Sequence, residues 1–265
     1  MPAGSQPGVA EAALDRDAAR FIVTLRLGDN ALVLGQRLTE LVTRAPELEE
    51  ELANANFALD YIGQARLWYG YAGELEGKGR TEDDFAFLRD APEFTNVLLV
   101  EQPNGHFGDT VVRQVLFETF HLLQLEALCR CRDPRIAEIA ARVVKEIRYH
   151  LRHMSQWLVR LGDGTAESRA RVQASLDDQW RYTGELFAAD AADRAFEQDW
   201  GGPDSAALEH GWTERLDPLL RDATLERPAE QWMAHGGRSG RHSEHLGYLI
   251  AEMQFMQRAY PGAQW

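Results

Sequence analysis

The chain has 265 residues, of which 45% are hydrophobic and 26% charged, a composition typical of a globular protein. Its net charge of −14 argues against nucleic acid or an anionic membrane as the main partner, because both attract a basic surface. The sequence has no apolar run near the roughly 20 residues of a membrane span, and its start lacks the basic and apolar regions of a signal peptide. We therefore expect a cytoplasmic protein with a flexible tail over residues 1–15.

The apolar residues recur almost everywhere at helical spacing, and no convincing alternating strand pattern is present. The expected helices, in chain order, are 18–43, 47–75, a short apolar one at 93–100, 109–132, 133–162, 165–196, 205–222, 228–234 and 242–259. Without an internal repeat or a long linker, residues 16–265 are predicted to form one domain. Four long helices with shorter peripheral ones predict an all-α, ferritin-like four-helix bundle.

The two cysteines, Cys129 and Cys131, are predicted to be small packing residues. Two positions apart on a helix, their side chains point about 200° from each other, so they neither pair nor chelate one ion. A reducing compartment fits this usage.

The segment 133–162 carries the clearest helix signals of the chain. Asp133 followed by Pro134 is a typical helix start, and Gly162 is a natural stop. Between them, apolar residues at three- and four-residue intervals form one stripe, and His150 lies on it. A histidine on the buried face of a long helix is how carboxylate-bridged di-metal bundles are built.

Such a site needs six ligands, two from helices with one Glu each and four from two Glu-x-x-His motifs. The chain offers one Glu-x-x-His, at Glu118 and His121, while Glu146 and His150 are four residues apart. A complete set cannot be assembled, so hydrogen-bonded polar groups, such as Glu118 to His150, are weighed above a working metal site. A buried Glu118 is in either case expected to have a donor close by.

Seven sequence segments indicate the family to which the chain is similar. They are specific in combination and are spread over nearly all of the chain after the tail. They are LRLGDNALVL (25–34), TRAPELE (43–49), ALDYIGQAR (58–66), LVEQPNGHFGDT (99–110), KEIRYHLRH (145–153), RLGDGT (160–165) and HSEHLG with AEMQ (242–254). Together they resemble the C-subunit family of phenylacetyl-CoA epoxidase. The resemblance implies a multicomponent monooxygenase that epoxidises an aromatic ring with dioxygen and electrons from a separate reductase. It also implies that the catalytic partner is the homologous ferritin-like, di-iron A subunit.

Against that catalytic subunit, the resemblance implies that the metal ligands are mostly lost here. Tyr61 and Gln64 stand where the catalytic form has a ligand Glu and a ligand His, and Ile147 stands where it has another Glu. The ligand Glu that the catalytic form carries on its first helix falls near Ala31. Only two further residues keep a ligand-type side chain, namely Glu118 and His150. His121 is then not a ligand position. We expect a vestigial site that binds no metal, in which Tyr61 and Gln64 donate hydrogen bonds to Glu118.

Other features each have two interpretations. Trp68 and Tyr69 are candidate interface residues, with Tyr69 expected to face outward, although contact with the chain's own peripheral helices is equally open. The loop 102–108 is either a tight connection or a contact with a ligand or another protein chain. His242 and its neighbours at 244 and 245 have the residue types of a metal site, but capping and surface contacts are favoured. Four basic residues are considered for CoA phosphates, with solvation and surface ion pairs as the favoured alternative: Arg37, Arg44, Arg66 and Arg89.

Three functions remain open from the sequence. The first is a non-catalytic structural subunit that stabilises the di-iron subunit, has no catalytic residue and binds no cofactor itself. It would associate with the other subunits of the complex and form a possible homodimer when alone. The second is a self-sufficient di-metal carboxylate oxidase or oxygenase, against which the incomplete ligand set counts. The third is a helical scaffold for an unrelated partner, which only the family resemblance disfavours.

Overall fold

The computed structural model describes residues 14–229 and 231–263, which contain helices and no strand. Within these residues the chain forms ten α-helices: α1 (Arg16–Thr39), α2 (Leu48–Glu76), α3 (Glu82–Phe87), α4 (Phe107–Leu128), α5 (Pro134–Gly162), α6 (Ala166–Gln179), α7 (Gly184–Phe187), α8 (Ala191–Trp200), α9 (Ser205–Asp222) and α10 (Glu244–Ala259). The predicted all-α class is thereby confirmed. No helix among the described residues is long and apolar enough to cross a membrane.

Two antiparallel helix pairs form the central bundle. In the first pair, Gly28 of α1 lies against Tyr69 of α2, and Gly35 lies against Tyr61. In the second, Phe107 at the start of α4 packs on Trp157 near the end of α5, with ring centroids 5.2 Å apart. Helices α6 and α9 cover the second pair, and α8 packs on α1. The buried apolar residues of these elements form one hydrophobic core.

The start and end of α5 follow the sequence signals. The Asp133 side chain accepts hydrogen bonds from the backbone N–H groups of Arg135 and Ile136, both at 2.9 Å. Gly162 is the last helical residue, and a Cβ there would lie only 2.1 Å from the carbonyl oxygen of Ala223. The glycine therefore ends the helix and also allows the chain after α9 to pass close by.

Three predicted helices differ from the structure. The segment 93–100 is not an α-helix, since only a 3-10 turn at Ala91–Glu93 precedes irregular backbone. The predicted helix 165–196 is divided into α6, a 3-10 turn, α7 and the first part of α8, which begins anew because Asp190 caps it. In the segment predicted helical at 228–234, the described residues are not helical. There the N–H of Ala234 donates to the carbonyl of Arg181 at 2.8 Å.

Buried carboxylates explain why the region between α3 and α4 is irregular. Glu185 accepts hydrogen bonds from the N–H groups of Leu98 at 2.7 Å and Gly236 at 2.9 Å. Asp29 accepts from both the N–H and the hydroxyl of Thr95, at 2.7 and 2.8 Å. Tertiary acceptors thus take N–H groups that a helix would use internally, and this overrides the local helical pattern.

The predicted tail falls mostly outside the described residues, which begin at Leu14. Leu14 packs against the core, and the Asp15 side chain accepts a hydrogen bond from the N–H of Ala18 at 3.4 Å. The described residues thus include the last two residues of the predicted tail, 14 and 15, and the tail over residues 1–13 stays a prediction.

Replacing Arg89 by Ala should strongly destabilise the fold. Arg89 forms an ion pair with Asp29, and both side chains are almost fully buried. Removing one partner leaves a buried charge uncompensated, at a cost of about 3 to 5 kcal/mol in the free energy of unfolding. Urea unfolding of the variant measures this loss.

The matched control is Arg66→Ala, because Arg66 is 71% exposed and its ion pair with Glu82 is 3.4 Å long. This variant should lose no more than about 1 kcal/mol. Equal losses in the two variants would contradict the structural role given to Arg89.

Candidate functional site

The polar cluster at the centre of the bundle is the candidate site, and it is organised around Glu118. This side chain is fully buried on α4. The Tyr61 hydroxyl donates a hydrogen bond to Glu118 Oε1 at 2.8 Å, and the Gln114 amide donates to the same oxygen at 2.9 Å. Tyr61 therefore acts as predicted. Gln114 was missed, although it lies one helical turn before Glu118, a spacing that places two side chains on one face.

Gln64 and His150 make other contacts than those predicted. The Gln64 amide donates to Glu146 at 3.0 Å and not to Glu118. His150 contacts Asp60 through Nε2 at 2.9 Å, while its Nδ1 lies 3.8 Å from Glu118 Oε1, too far for a hydrogen bond. The predicted Glu118–His150 hydrogen bond is thus wrong. Asp60 is reached because its side chain lies at the edge of the bundle, 42% exposed, where the cost of an ionised carboxylate is low.

Burial sets the protonation states of this cluster. It raises the pKa of Glu118 to about 8, although the hydrogen bonds from Tyr61 and Gln114 oppose the shift. Burial also lowers the pKa of His150, although Asp60 opposes this shift. At neutral pH both side chains are therefore predominantly uncharged. The contact with Asp60 favours the tautomer in which His150 donates from Nε2, so that Nδ1 is the acceptor nitrogen.

The residues do not fit a di-metal centre. Asp60 contacts Nε2 of His150, whereas Glu118 lies nearest to Nδ1 at the opposite edge of the ring. A metal ion bound to one of these nitrogens could therefore not be bound by both carboxylates. Ile147 is fully buried, and its apolar side chain has no atom that could bind a metal ion. Among the described residues, no group of three or more His, Cys, Asp or Glu side chains is arranged to hold a metal ion. Ala31, at the position on α1 where the resemblance places a Glu, is buried and apolar.

His121 lies apart from the cluster. Its Nδ1 contacts the Gln124 side chain at 3.1 Å, and its ring stacks on Phe117 with centroids 5.2 Å apart. Burial lowers the pKa of His121 to about 4, so the ring is neutral. The Glu-x-x-His spacing of Glu118 and His121 thus brings no pair of ligands together.

The aromatic pair on α2 is not on the surface. Trp68 is 0% and Tyr69 1% exposed, so the prediction that Tyr69 faces outward is wrong. The Tyr69 hydroxyl donates to Asp29 at 2.7 Å, and its ring stacks on Phe85 of α3. The alternative, contact with a peripheral helix of the same chain, is the one that the structure bears out.

Two of the four arginines considered for CoA phosphates are also internal. Arg37 donates to the carbonyl of Glu101 at 2.7 and 3.0 Å, and Arg89 pairs with Asp29. Both are buried, so they offer no basic surface, whereas Arg44 and Arg66 are exposed.

His242 joins two segments instead of forming surface contacts. Its Nδ1 contacts the Glu101 carboxylate at 2.7 Å and its Nε2 contacts the carbonyl of Phe94 at 2.8 Å. Burial lowers the pKa of His242, but the hydrogen bond and charge of Glu101 outweigh it and raise the pKa overall. Because both partners are acceptors, this environment favours the doubly protonated ring.

The comparisons with known proteins agree with this architecture. The family model described as "Phenylacetic acid catabolic protein" matches residues 8–265, so the chain belongs to that family. Among curated relatives, the chain is 48% identical over 242 residues to the C subunit of 1,2-phenylacetyl-CoA epoxidase from Escherichia coli (strain K12), covering 91% of this chain and 97% of the relative. The resemblance to the C-subunit family is thereby confirmed.

A solved structure shows the fold. "Protein 19 with aldehyde deformylating oxidase activity from Synechococcus" matches with a TM-score of 0.58 at 17% identity, over 80% of this chain and 95% of that chain. The likeness confirms the ferritin-like fold. At this identity it carries nothing about activity.

The pH dependence of stability should change when Glu118 is replaced by Gln. Since the pKa of Glu118 is about 8 in the fold and near 4.5 in the unfolded chain, the native state binds the proton more tightly between these pH values. The free energy of unfolding therefore falls as pH rises through this window. Glu118→Gln cannot ionise, so it should lose this slope and exceed the wild type above pH 8 by on the order of 4 kcal/mol.

Urea unfolding from pH 4 to 9 measures the two slopes. The control is Glu138→Gln on the exposed face of α5, where the side chain is 70% exposed and only pairs with Arg135. That variant should keep the wild-type slope. A wild-type slope in Glu118→Gln would show that Glu118 is ionised in the fold.

Proposed function

We propose that this chain is a non-catalytic, structural subunit of a phenylacetyl-CoA ring-epoxidising monooxygenase in aerobic phenylacetate catabolism. It pairs with and stabilises a homologous, ferritin-like di-iron subunit in the cytoplasm, together with the other subunits of that complex. The proposal rests on family membership and on the relative named as the C subunit of 1,2-phenylacetyl-CoA epoxidase.

The observation that carries the non-catalytic role is the incomplete set of possible metal ligands at the bundle centre. Ile147 on α5 is apolar. On α2, the Tyr61 hydroxyl and the Gln64 amide donate hydrogen bonds to Glu118 and Glu146, respectively, so these two side chains do not converge on one point. Glu118 and His150 alone would hold a first-row metal weakly, since stable sites of this type use six ligands from four helices. We therefore place the di-iron centre in the partner subunit and no cofactor in this chain.

The same observation disfavours the self-sufficient oxidase. That function would require further carboxylate and imidazole ligands around Glu118, whereas Ile147 and Ala31 are apolar and the Gln64 amide donates to Glu146. The cluster instead supports the helices against one another through hydrogen bonds that cross between α2, α4 and α5.

Reconstitution tests the proposal. The purified homologous di-iron subunit, with its reductase, is assayed for consumption of phenylacetyl-CoA with and without this chain. We expect a stoichiometric complex, turnover that falls at least about tenfold when this chain is omitted, and none when the di-iron subunit is omitted. Turnover by this chain and reductase alone would contradict the proposal.

Glu118→Gln serves as the discriminating variant in the same assay. If Glu118 is structural, the variant should support turnover within about twofold of the wild type, because the amide still accepts from Tyr61 and Gln114. If Glu118 bridges metal ions, the variant should be inactive. Its thermal unfolding checks that the fold is retained.

A further inference from the structure

The outer face of α5 is basic over the second half of the helix, although the net charge of the chain is −14. Residues 147–162 contain three arginines and no Asp or Glu. Five exposed side chains form one row on this face: Lys145, Tyr149, Arg152, Gln156 and Arg160. With 100° per residue, they fall within about 80° of one another around the helix axis, and the row is about 22 Å long. We call this set the α5 stripe.

The cations of the α5 stripe have no acidic partner in the chain. Lys145, Arg152 and Arg160 form no ion pair with a carboxylate among the described residues. The Arg152 guanidinium lies over the ring of Tyr149, with Cζ 5.4 Å from the ring centroid. That of Arg160 lies over the ring of Trp157, at 4.7 Å. A guanidinium held over a ring keeps its N–H groups for an acceptor, so the stripe is complementary to an anionic partner.

A groove beside the α5 stripe supplies a second, independent observation. It lies between α5 and α9 and has a volume of about 450 Å³, which is within the range of small-molecule sites. Its lining consists of Arg152, Ser155, Gln156, Val159, Arg160 and Leu219. The two arginines are eight residues, or about 12 Å, apart along the helix. The groove thus combines the apolar side chains of Val159 and Leu219 with two cations.

These features fit a ligand that has phosphate groups, a purine ring and an uncharged chain. Guanidinium groups bind phosphate oxygens through paired, charge-assisted hydrogen bonds. The ring of Tyr149 is 50% exposed next to these cations, and an exposed aromatic ring stacks on a base. The apolar part of the groove covers an uncharged chain. A long nucleic acid does not fit, because the net charge of −14 repels its many phosphates.

We propose that the α5 stripe and its groove bind the non-reacting part of a CoA thioester. The stripe cations hold the phosphates, Tyr149 stacks on the adenine ring, and the groove at Val159 and Leu219 takes the pantetheine chain. The inference rests on the proposed function, because a CoA thioester is the substrate of that complex. It adds a substrate-binding role to a chain without catalytic residues. Contacts with a remote part of a substrate strengthen its binding even though they touch no reacting atom.

Isothermal titration calorimetry of the purified full chain, in about 0.1 M salt, tests the site with matched ligands. CoA should bind with a dissociation constant on the order of 100 µM, since each exposed charge contact contributes little. Dephospho-CoA, which lacks the 3′-phosphate, should bind at least about threefold more weakly. ADP also lacks the pantetheine chain and should bind more weakly still, because it leaves the groove empty. Inorganic phosphate should show no saturable binding.

Arg152→Glu should weaken CoA binding at least about tenfold, because it places a carboxylate beside the phosphates. Tyr149→Leu removes the stacking ring and should weaken binding at least about fivefold. The matched control is Arg135→Glu, since Arg135 lies on the same face of α5, about 25 Å before Arg152, and pairs with Glu138. It changes the net charge equally and should keep the CoA affinity within about twofold. All three replaced side chains are exposed, so thermal unfolding should show intact folds.

The reconstituted complex gives a second measurement. There, Arg152→Glu should raise the KM for phenylacetyl-CoA at least about fivefold and leave kcat within about twofold, because the lost contact is the same in the ground state and the transition state. Arg135→Glu should change neither constant. An unchanged KM for Arg152→Glu, in a complex whose turnover requires this chain, would overturn the proposal.

Three results of the titrations would also overturn it: no saturable CoA binding up to about 5 mM, ADP binding at least as tight as that of CoA, or equal weakening by Arg152→Glu and Arg135→Glu. If CoA does not bind and Arg152→Glu prevents association with the di-iron subunit, the α5 stripe is a protein contact and the proposed function stands. CoA binding that depends on Arg152, together with undiminished turnover when this chain is omitted, would instead contradict the proposed function and leave the CoA site in place.

Discussion

The carboxylate of Asp29 is the contact on which the arrangement of the first half of the chain depends. It is fully buried on α1 and accepts hydrogen bonds from Tyr69 on α2, from Arg89 after α3 and from Thr95 in the irregular segment. A buried carboxylate without donors would cost several kcal/mol, so these partners must come together as a unit. The position of α2 on α1 and the path of the chain toward α4 are thereby coupled.

The same logic recurs where peripheral segments join the bundle. Glu185 binds backbone N–H groups from two distant segments, and Glu101 binds His242 and the N–H of Ser243. These acids account for part of the negative charge of the chain, but they lie inside the fold. Polar networks of this kind hold irregular backbone in one path, because another path would leave buried polar groups without hydrogen-bond partners, at a cost in free energy. The bundle centre differs, since Glu118 there is held by neutral donors and is uncharged at neutral pH.

Helices with complete start and stop signals were predictable from the sequence. The bounds of α5 follow from Asp133, Pro134 and Gly162, whose roles are local. The broken helix after Thr165 was not predictable, because the Asp190 cap resembles an ordinary acid in a helical pattern. At the site, the loss of ligands at Tyr61, Gln64 and Ile147 was expected from the resemblance, and the Tyr61–Glu118 bond was predicted correctly. The partners of Gln64 and His150 were not, because they depend on rotations of the helices that periodicity does not determine.

We propose that the frame of a di-metal bundle persists in this chain while most of the ligand positions do not, and that its hydrogen-bonded core serves assembly. The most direct measurement is an anaerobic calorimetric titration of ferrous iron into the purified chain at neutral pH. Because only Glu118 and His150 keep a ligand-type side chain out of the six that such a site needs, we expect no saturable uptake. Saturable binding of about two iron ions per chain, the content of a complete bundle site, would contradict the account.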